Sequence, residues 1–562
     1  MPDNIQSLPE FDACVIGAGA GGCATAWALC KKGLRVLVLE TGPEYKPQKD
    51  FHLEKSDWEL QPFPDRTRSK HSVTYAEFQT LENQFDHLRS WNHINGYSNQ
   101  SGQRQPFAYH HVQAVGGSTL HFTAEAHRMN PKSMNMFSDF GVAADWPVSY
   151  KELEPYYVQV EKIVGVSGPN KSHHCSRSQA LPLPAHKISY ASSKLLNKKS
   201  DSQRDMKWEE NTLAIPSKPY DGRPACNYCN NCNRGCTHGD KATADRTFLK
   251  KALETGLCVV KSGCHVLELT AGKNDQVENI LYIDNDKKRI SIALHKRPVF
   301  INAGAIFTPR LLLISKNKYA PKGLGNESGQ VGKSFMETLF YNVAGLHKDP
   351  IGSHRGIPSD VISWKYNAPD AIPGVIGGCR FSPTTAESEL NGPLSYAKRV
   401  VAGFGSEHKQ AMKHQFGRVL AVGGIGESLP NDKTFIDLHP DRTDKYGIPL
   451  VRINSHLDTM AIKRIQFMRQ QCEKILLGSG VEKIIEQYGT YDYFNSTHVF
   501  GTCKMGADAE TSVVNSQCRS HRWKNLFITD SSVFPSSGGG ESPSLTIQAL
   551  AIRAVELMDL EG

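Results

Sequence analysis

Two clusters in this chain of 562 residues could do chemistry on residue type and spacing alone. The first is Gly17-Ala-Gly19-Ala-Gly-Gly22, which follows a short apolar run from Phe11 to Ile16 and precedes a stretch from Cys23 to Lys32 that stops before Gly33. In the order strand, glycine loop, helix, the first glycine makes a tight turn, the second lets backbone approach a pyrophosphate, and the third lets the helix pack on the strand. The diphosphate then rests on the free N–H groups of the helix N-terminus. Arg35 to Glu40 reads as a second strand. It delivers Glu40 about twenty residues beyond the glycines, where an acid binds a ribose hydroxyl. The pattern marks a dinucleotide site and does not by itself separate FAD from NAD.

The second cluster is Cys226-x-x-Cys229-x-x-Cys232-x-x-x-Cys236, four thiols within eleven residues. Its spacing equals the ferredoxin run that ligates a cubane, with Thr237 where ferredoxins carry proline. Thiolates are also the ligands that iron–sulfur clusters select. Three readings stay open for these candidate metal ligands: an iron–sulfur cluster that passes electrons, structural zinc or a redox disulfide, and unmetallated thiols. His238 and the run His173-His174-Cys175 could complicate a zinc assignment.

Composition narrows the class. With 39% hydrophobic and 22% charged residues, and glycine and proline spread along the chain, the sequence is that of a folded globular protein. A net charge of +8 over this length is mild, and no block of like charges forms a basic arm, so nucleic acid is not an expected partner. Residues 13 to 30 carry no charge and are long enough for a membrane span, but the glycines at their centre make a strand, loop and helix the better reading. Asp3, Glu10 and Asp12 with no Lys or Arg in the first twelve residues are unlike a secretory start. Fourteen cysteines then read as reduced thiols or metal ligands, and the cytoplasm is the expected compartment.

Further motifs occur in order along the chain. They are Val115-Gly-Gly-Ser-Thr119, Ile301-Asn-Ala-Gly-Ala-Ile-Phe-Thr-Pro309, His498-Val-Phe-Gly-Thr-Cys-Lys-Met-Gly506, Asn525-Leu-Phe-Ile-Thr-Asp-Ser-Ser-Val-Phe-Pro535 and Ser542-Pro-Ser-Leu-Thr-Ile547. Together with the N-terminal glycine loop, this set resembles the glucose-methanol-choline (GMC) family of FAD-dependent oxidoreductases over residues 11 to 558. It is nearest to the cysteine-rich sugar and gluconate dehydrogenases and the long-chain alcohol oxidases. The resemblance implies an α/β fold in which a Rossmann-like FAD domain is interleaved with a substrate domain built on an antiparallel sheet. The implied FAD contacts are Gly17, Gly19, Gly22 and Glu40; Gly116, Gly117 and Ser118 at the reactive edge of the isoalloxazine; Val266, Ala303 and Gly304 towards the adenosine; and Asp530 with Pro543 to Thr546 over the ribityl chain and pyrimidine end. His498 matches the family's active-site histidine. The family's second histidine or asparagine is replaced here by Ser542, which has one hydroxyl and no amide fork. Ser542 with a water, Glu541 or Asn495 is the candidate for the missing contact. Sugar dehydrogenases of the family are associated with an iron–sulfur cluster at the cysteine-rich segment; the long-chain alcohol oxidases are not.

The expected division is an FAD-binding part over 1–150 with a long polar excursion at 46–110 that could form a lid and contains Trp58 and Trp91, a substrate-domain connector over 151–220, a second FAD part over 221–325 that holds the cysteines, a second substrate part over 326–497, and a C-terminal FAD part over 498–562. The expected activity is oxidation of an alcohol by hydride transfer to flavin N5. His498 serves as base and electrons leave to an acceptor other than NAD, such as a protein or quinone. The rivals are an oxidase that makes hydrogen peroxide and, with the amide absent at Ser542, a non-catalytic electron-transfer flavoprotein. Cluster-bearing relatives also imply membrane association or export through a partner subunit as the alternative to the cytoplasm.

Overall fold

Ala13–Ile16 (β1) and Val36–Leu39 (β2) carry no polar side chain, and both are buried along their whole length. Strands covered on both faces require such continuous apolar runs. The computed structural model describes residues 10–52, 74–97, 101–106, 111–196, 204–494 and 498–559. Trp58 and Asn495 lie outside the described residues. In this structure β1 is the centre of a five-stranded parallel sheet of order Cys258–Lys261, β2, β1, Val299–Ile301, Leu526–Ile528. The sheet is thus assembled from distant pieces of the chain.

Between β1 and β2 runs the helix Ala20–Lys31 (α1), which begins directly at the glycine loop with no side-chain cap on its first N–H groups. Gly33, with φ of 85°, then turns the chain back into β2. The helix lies close because Gly21 and Gly22 in its first turn have no Cβ: one on Gly22 would stand 1.8 Å from Gly17 O. Behind α1 pack Ser544–Glu556 and, against that, Tyr150–Val164. The last of these starts with a reciprocal cap between Ser149 and Glu152.

A six-stranded antiparallel sheet forms the other half. Its order is Cys379–Pro383, Val419–Gly426, Leu339–His347, Val481–Gly489, Trp91–Asn92, Gly96–Tyr97. The helix Thr459–Gly478, capped by Asp458, lays Ile465, Met468 and Cys472 against Tyr341, Leu420 and Val422. The excursion therefore supplies edge strands here. It also gives Thr74–Phe78, which pairs in parallel with Pro449–Ser455 of the hairpin that starts at Phe435–Thr443. The four strands between residues 258 and 293 divide between two sheets: Cys258–Lys261 joins the parallel sheet, while His265–Ala271, Val277–Ile283 and Arg289–Ala293 form an antiparallel sheet of their own.

One buried ion pair ties these parts to the site. Arg104 donates to Glu337 at 2.6 Å, to Thr490 O at 2.8 Å and to Ser455 Oγ at 2.7 Å. Glu337 belongs to Met336–Glu337, which pairs antiparallel with Val499–Phe500, directly after His498. The fold class is α/β with interleaved antiparallel sheets, as the sequence implied. Among the described residues no helix is long and apolar enough to cross a membrane. The tight helix–strand approach gives a stability prediction. Gly22→Ala forces a Cβ against backbone rather than a flexible side chain, so it should cost about 1–3 kcal/mol, read as a lower urea midpoint at unchanged slope.

Candidate active site

The glycine loop, β2 and the pieces brought in from the rest of the chain enclose a cavity of about 660 Å³. Its wall includes Glu40, Thr41, His265 and Tyr446, Gly17, Gly19, Ala303, Gly304 and Asp530, and Ser118, His121, Phe122, His498 and Ser542. On this wall Glu40 accepts the N–H of Ala18 and that of Gly42, each at 2.8 Å. Burial raises its carboxyl to about 7 despite these donors. Beside it His265 Nδ1 and Thr41 Oγ1 are 2.9 Å apart, and the His265 ring stacks on Tyr446 at 5.2 Å. Arg310 pairs with Asp444 at 2.8 Å and so pins the turn that presents Tyr446. Burial and the Arg310 charge lower His265 to about 4, which leaves its ring neutral at pH 7.

The glycines show which positions hold backbone and which face open space. Gly17, with φ of 95°, has no room for a Cβ, which would meet Asn302 O at 2.4 Å; Gly22 packs on Gly17 rather than lining the cavity. A Cβ on Gly19 or Gly304 would meet nothing within 4 Å. The second glycine pair docks on the first loop: Gly116 N–H donates to Ala18 O at 2.8 Å, and a Cβ on Gly117 would stand 2.7 Å from Gly19 Cα. Gly117 and Ser118 line the cavity and Gly116 supports them from behind. Asp530 accepts from Gly304 N at 2.8 Å, Thr308 Oγ1 at 2.6 Å and Ser532 N at 2.9 Å. Open space at the helix N-terminus and an acid at the end of β2, both lining one cavity, fit a dinucleotide.

Several residues read from the sequence stand elsewhere. Pro543 and Val266 line the cavity, but the Thr546 side chain bonds the Tyr157 hydroxyl at 2.8 Å and is off the wall; Ile547 takes that place. Glu541 is also off the wall. Its Oε1 accepts from Asn367 Nδ2 at 2.9 Å and Asn130 N at 3.1 Å, so it is not placed to serve as the missing contact beside Ser542. The four cysteines do not form the expected metal centre. Cys229 is exposed and Cys232 buried, and among the described residues no group of three or more His, Cys, Asp or Glu side chains is disposed to hold a metal. The backbone adopts positive φ at Tyr228 and Asn230, on either side of Cys229, while Cys236 Sγ donates to Asp240 at 2.6 Å. Burial raises the Cys236 thiol to about 11, so it is protonated at pH 7.

His498 reaches the cavity from a short strand whose path is fixed by Thr338 N–H, which donates to His498 O at 2.9 Å. Burial lowers its imidazole to about 4, with Glu125 opposing and Arg380 and His111 adding to the shift. It is a neutral, hydrogen-bonding ring at pH 7. Sequence reasoning missed His265, Tyr446, His111 and His121, because single aromatic and histidine residues at these positions carry no spacing signal.

Comparison with known proteins agrees with this geometry. The GMC oxidoreductase family models match residues 212–338 and 430–551, and a model of NAD(P)-binding Rossmann-like domains matches residues 15–45. The chain is a GMC oxidoreductase. This GMC oxidoreductase is 27% identical to the 2-methyl-1,2-propanediol dehydrogenase of Mycolicibacterium austroafricanum, over 98% of this chain and 95% of the relative. It is 26% identical to the fructose dehydrogenase large subunit of Gluconobacter japonicus, over 97% of each chain. A structure of Aspergillus oryzae formate oxidase, solved in work on its FAD modification, shares the fold with a TM-score of 0.63 at 13% identity, covering 99% of this chain and 98% of that one. The glycine geometry makes a paired prediction with Gly22→Ala. Gly19→Ala should fold with an unchanged urea midpoint but bind FAD at least about 10-fold more weakly, because its Cβ occupies the space a pyrophosphate approaches; flavin fluorescence during titration of the apoprotein reads the difference.

Proposed function

We propose that this protein is an FAD-dependent enzyme that oxidises the CH–OH group of a polyol or sugar and passes the electrons to an acceptor other than NAD. The observation that carries the reading is His498, held neutral on the wall of the same cavity that Glu40 and the glycine loop line. The two curated relatives support the substrate class, since their names specify a diol and a sugar. Bound FAD would be held by Glu40, Gly19, Ala303, Gly304 and the 117–118 turn, and supplies the hydride acceptor.

The protein's own residues then have two tasks. His498 accepts the hydroxyl proton on its free ring nitrogen. A base with so low a pKa gains little by taking a proton from a resting alcohol, so the transfer occurs as the α-hydrogen leaves and the hydroxyl becomes acidic. Ser542 donates one hydrogen bond to the same oxygen and orients the C–H bond. With Glu541 and the Thr546 side chain turned away, the polar contacts to the reacting oxygen come from His498 and Ser542.

His498→Ala should keep bound flavin and slow its anaerobic reduction by diols or sugars about 10²- to 10⁴-fold; unchanged reduction removes the assignment. In the wild-type protein the reduction rate should stay flat from pH 8 down to about pH 5 and fall below that, as a base lowered to about 4 becomes protonated. Rapid reoxidation of the reduced protein by air, with peroxide formed, would make it an oxidase instead.

A further inference from the structure

The segment that carries Ser542 is held from behind by a chain of hydrogen bonds that begins and ends on it. Ser542 N–H donates to His127 Nδ1 at 3.1 Å, and His127 Nε2 faces Asn211 Oδ1 at 2.9 Å. Asn211 Nδ2 donates to Glu125 Oε1 at 3.1 Å, and Arg380 Nη2 donates to the other oxygen, Glu125 Oε2. Arg380 Nε donates to Gly540 O at 3.0 Å, which returns the chain to the tripeptide where it started. All these residues except Gly540 are buried side chains with under a tenth of their surface exposed. The polarity is consistent throughout. A backbone N–H can only donate, so Nδ1 is the lone-pair nitrogen and Nε2 carries the proton. Asn211 Oδ1 also accepts Thr212 N–H and its Nδ2 also donates to Ser359 O, which fixes the amide the same way round. The Trp364 ring meets His127 edge-on at 4.8 Å and keeps it from turning.

We propose that this closed relay is the device that positions Ser542, with His127 as the positioning residue that acts through the Ser542 backbone. The inference rests on the reading of Ser542 as the second contact to the substrate oxygen. A serine hydroxyl rotates and is short, so it directs a substrate only if its backbone is fixed. The relay fixes that backbone on both sides of Glu541, and the Glu541 side chain is fixed in turn by Asn130 and Asn367. His127 itself is not on the cavity wall.

The test uses the FAD-loaded protein and two independent readouts. In His127→Phe the ring stays against Trp364 but the acceptor is gone. FAD content should be unchanged, amide hydrogen exchange in peptides covering 539–546 should quicken about 10-fold or more, and flavin reduction at saturating alcohol should slow about 10- to 100-fold, the scale of a misplaced contact. Adding His127→Phe to Ser542→Ala should cost no further rate, and His127→Asn, whose amide oxygen can take the place of Nδ1, should recover most of it. If the Phe variant does not fold, Asn211→Ser removes the acceptor of His127 instead and gives the same readouts. Unchanged exchange overturns the proposal, as does faster exchange at a wild-type reduction rate or a loss that multiplies with Ser542→Ala. A His498→Ala variant that reduces its flavin normally would overturn the alcohol-oxidation reading instead, and the exchange result would still decide the relay.

Discussion

Everything at the cavity depends on the carboxylate of Asp530. It joins the C-terminal segment to the helix Gly304–Ile314 through Gly304 N and Thr308 Oγ1, two parts of the chain more than two hundred residues apart. Thr529 beside it contacts both Thr25 on α1 and Asn302, so three separate stretches meet within two residues. Taking a carboxylate out of water costs several kcal/mol. Three donors, each worth about 1.5–3 kcal/mol to a charged acceptor, offset that cost, although burial still raises the group's pKa. The parallel pairing of Val299–Ile301 with Leu526–Ile528 then brings the ends of both strands to one side of the sheet, where the cavity opens.

The same desolvation sets the protonation of the site. It lowers His498 and His265 to about 4, His174 to about 3, and His127 well below its ordinary value. It raises Glu40 and Glu541 to about 7. Four histidines are therefore neutral at pH 7, and each can offer a lone pair and a proton to different partners. A neutral ring is what lets His127 accept a backbone N–H, and the base role proposed for His498 has the same requirement; an imidazolium could meet neither. The site works by fixed dipoles more than by net charge.

What was legible in the sequence was local. The glycine loop, β1, β2 and Glu40 lie within thirty residues of one another, and strand period, helix start and acid spacing all act over that range. His498 and Ser542 were readable because a family pattern surrounds them. Contacts between distant residues were not. Ser542 and His127 are 415 residues apart, and no periodicity links them. Thr546 shows a second limit, since it sits in the right segment but on the helix face that meets Tyr157 rather than the cavity. The cysteines show a third. Ligand spacing states only that four thiols could converge, and it does not encode the positive φ at Tyr228 and Asn230 on either side of Cys229.

The cysteine segment also bears on the cavity through Lys241. The Lys241 ammonium is fully buried and donates to Cys232 O at 2.6 Å, Leu120 O at 2.9 Å and Phe122 O at 3.1 Å. It also lies 5.3 Å from the Phe122 ring centroid. Three carbonyls satisfy its three donors, so the charge is kept although burial lowers its pKa. Leu120 and Phe122 flank His121 on the cavity wall, and Cys232 is the third thiol of the run. A buried cation thus straps the loop of cysteines to the wall where Ser118, His121 and Phe122 face the cavity. That strap gives the segment a structural reason for its place, because a shift of the loop would take from a buried ammonium one of its three carbonyl acceptors.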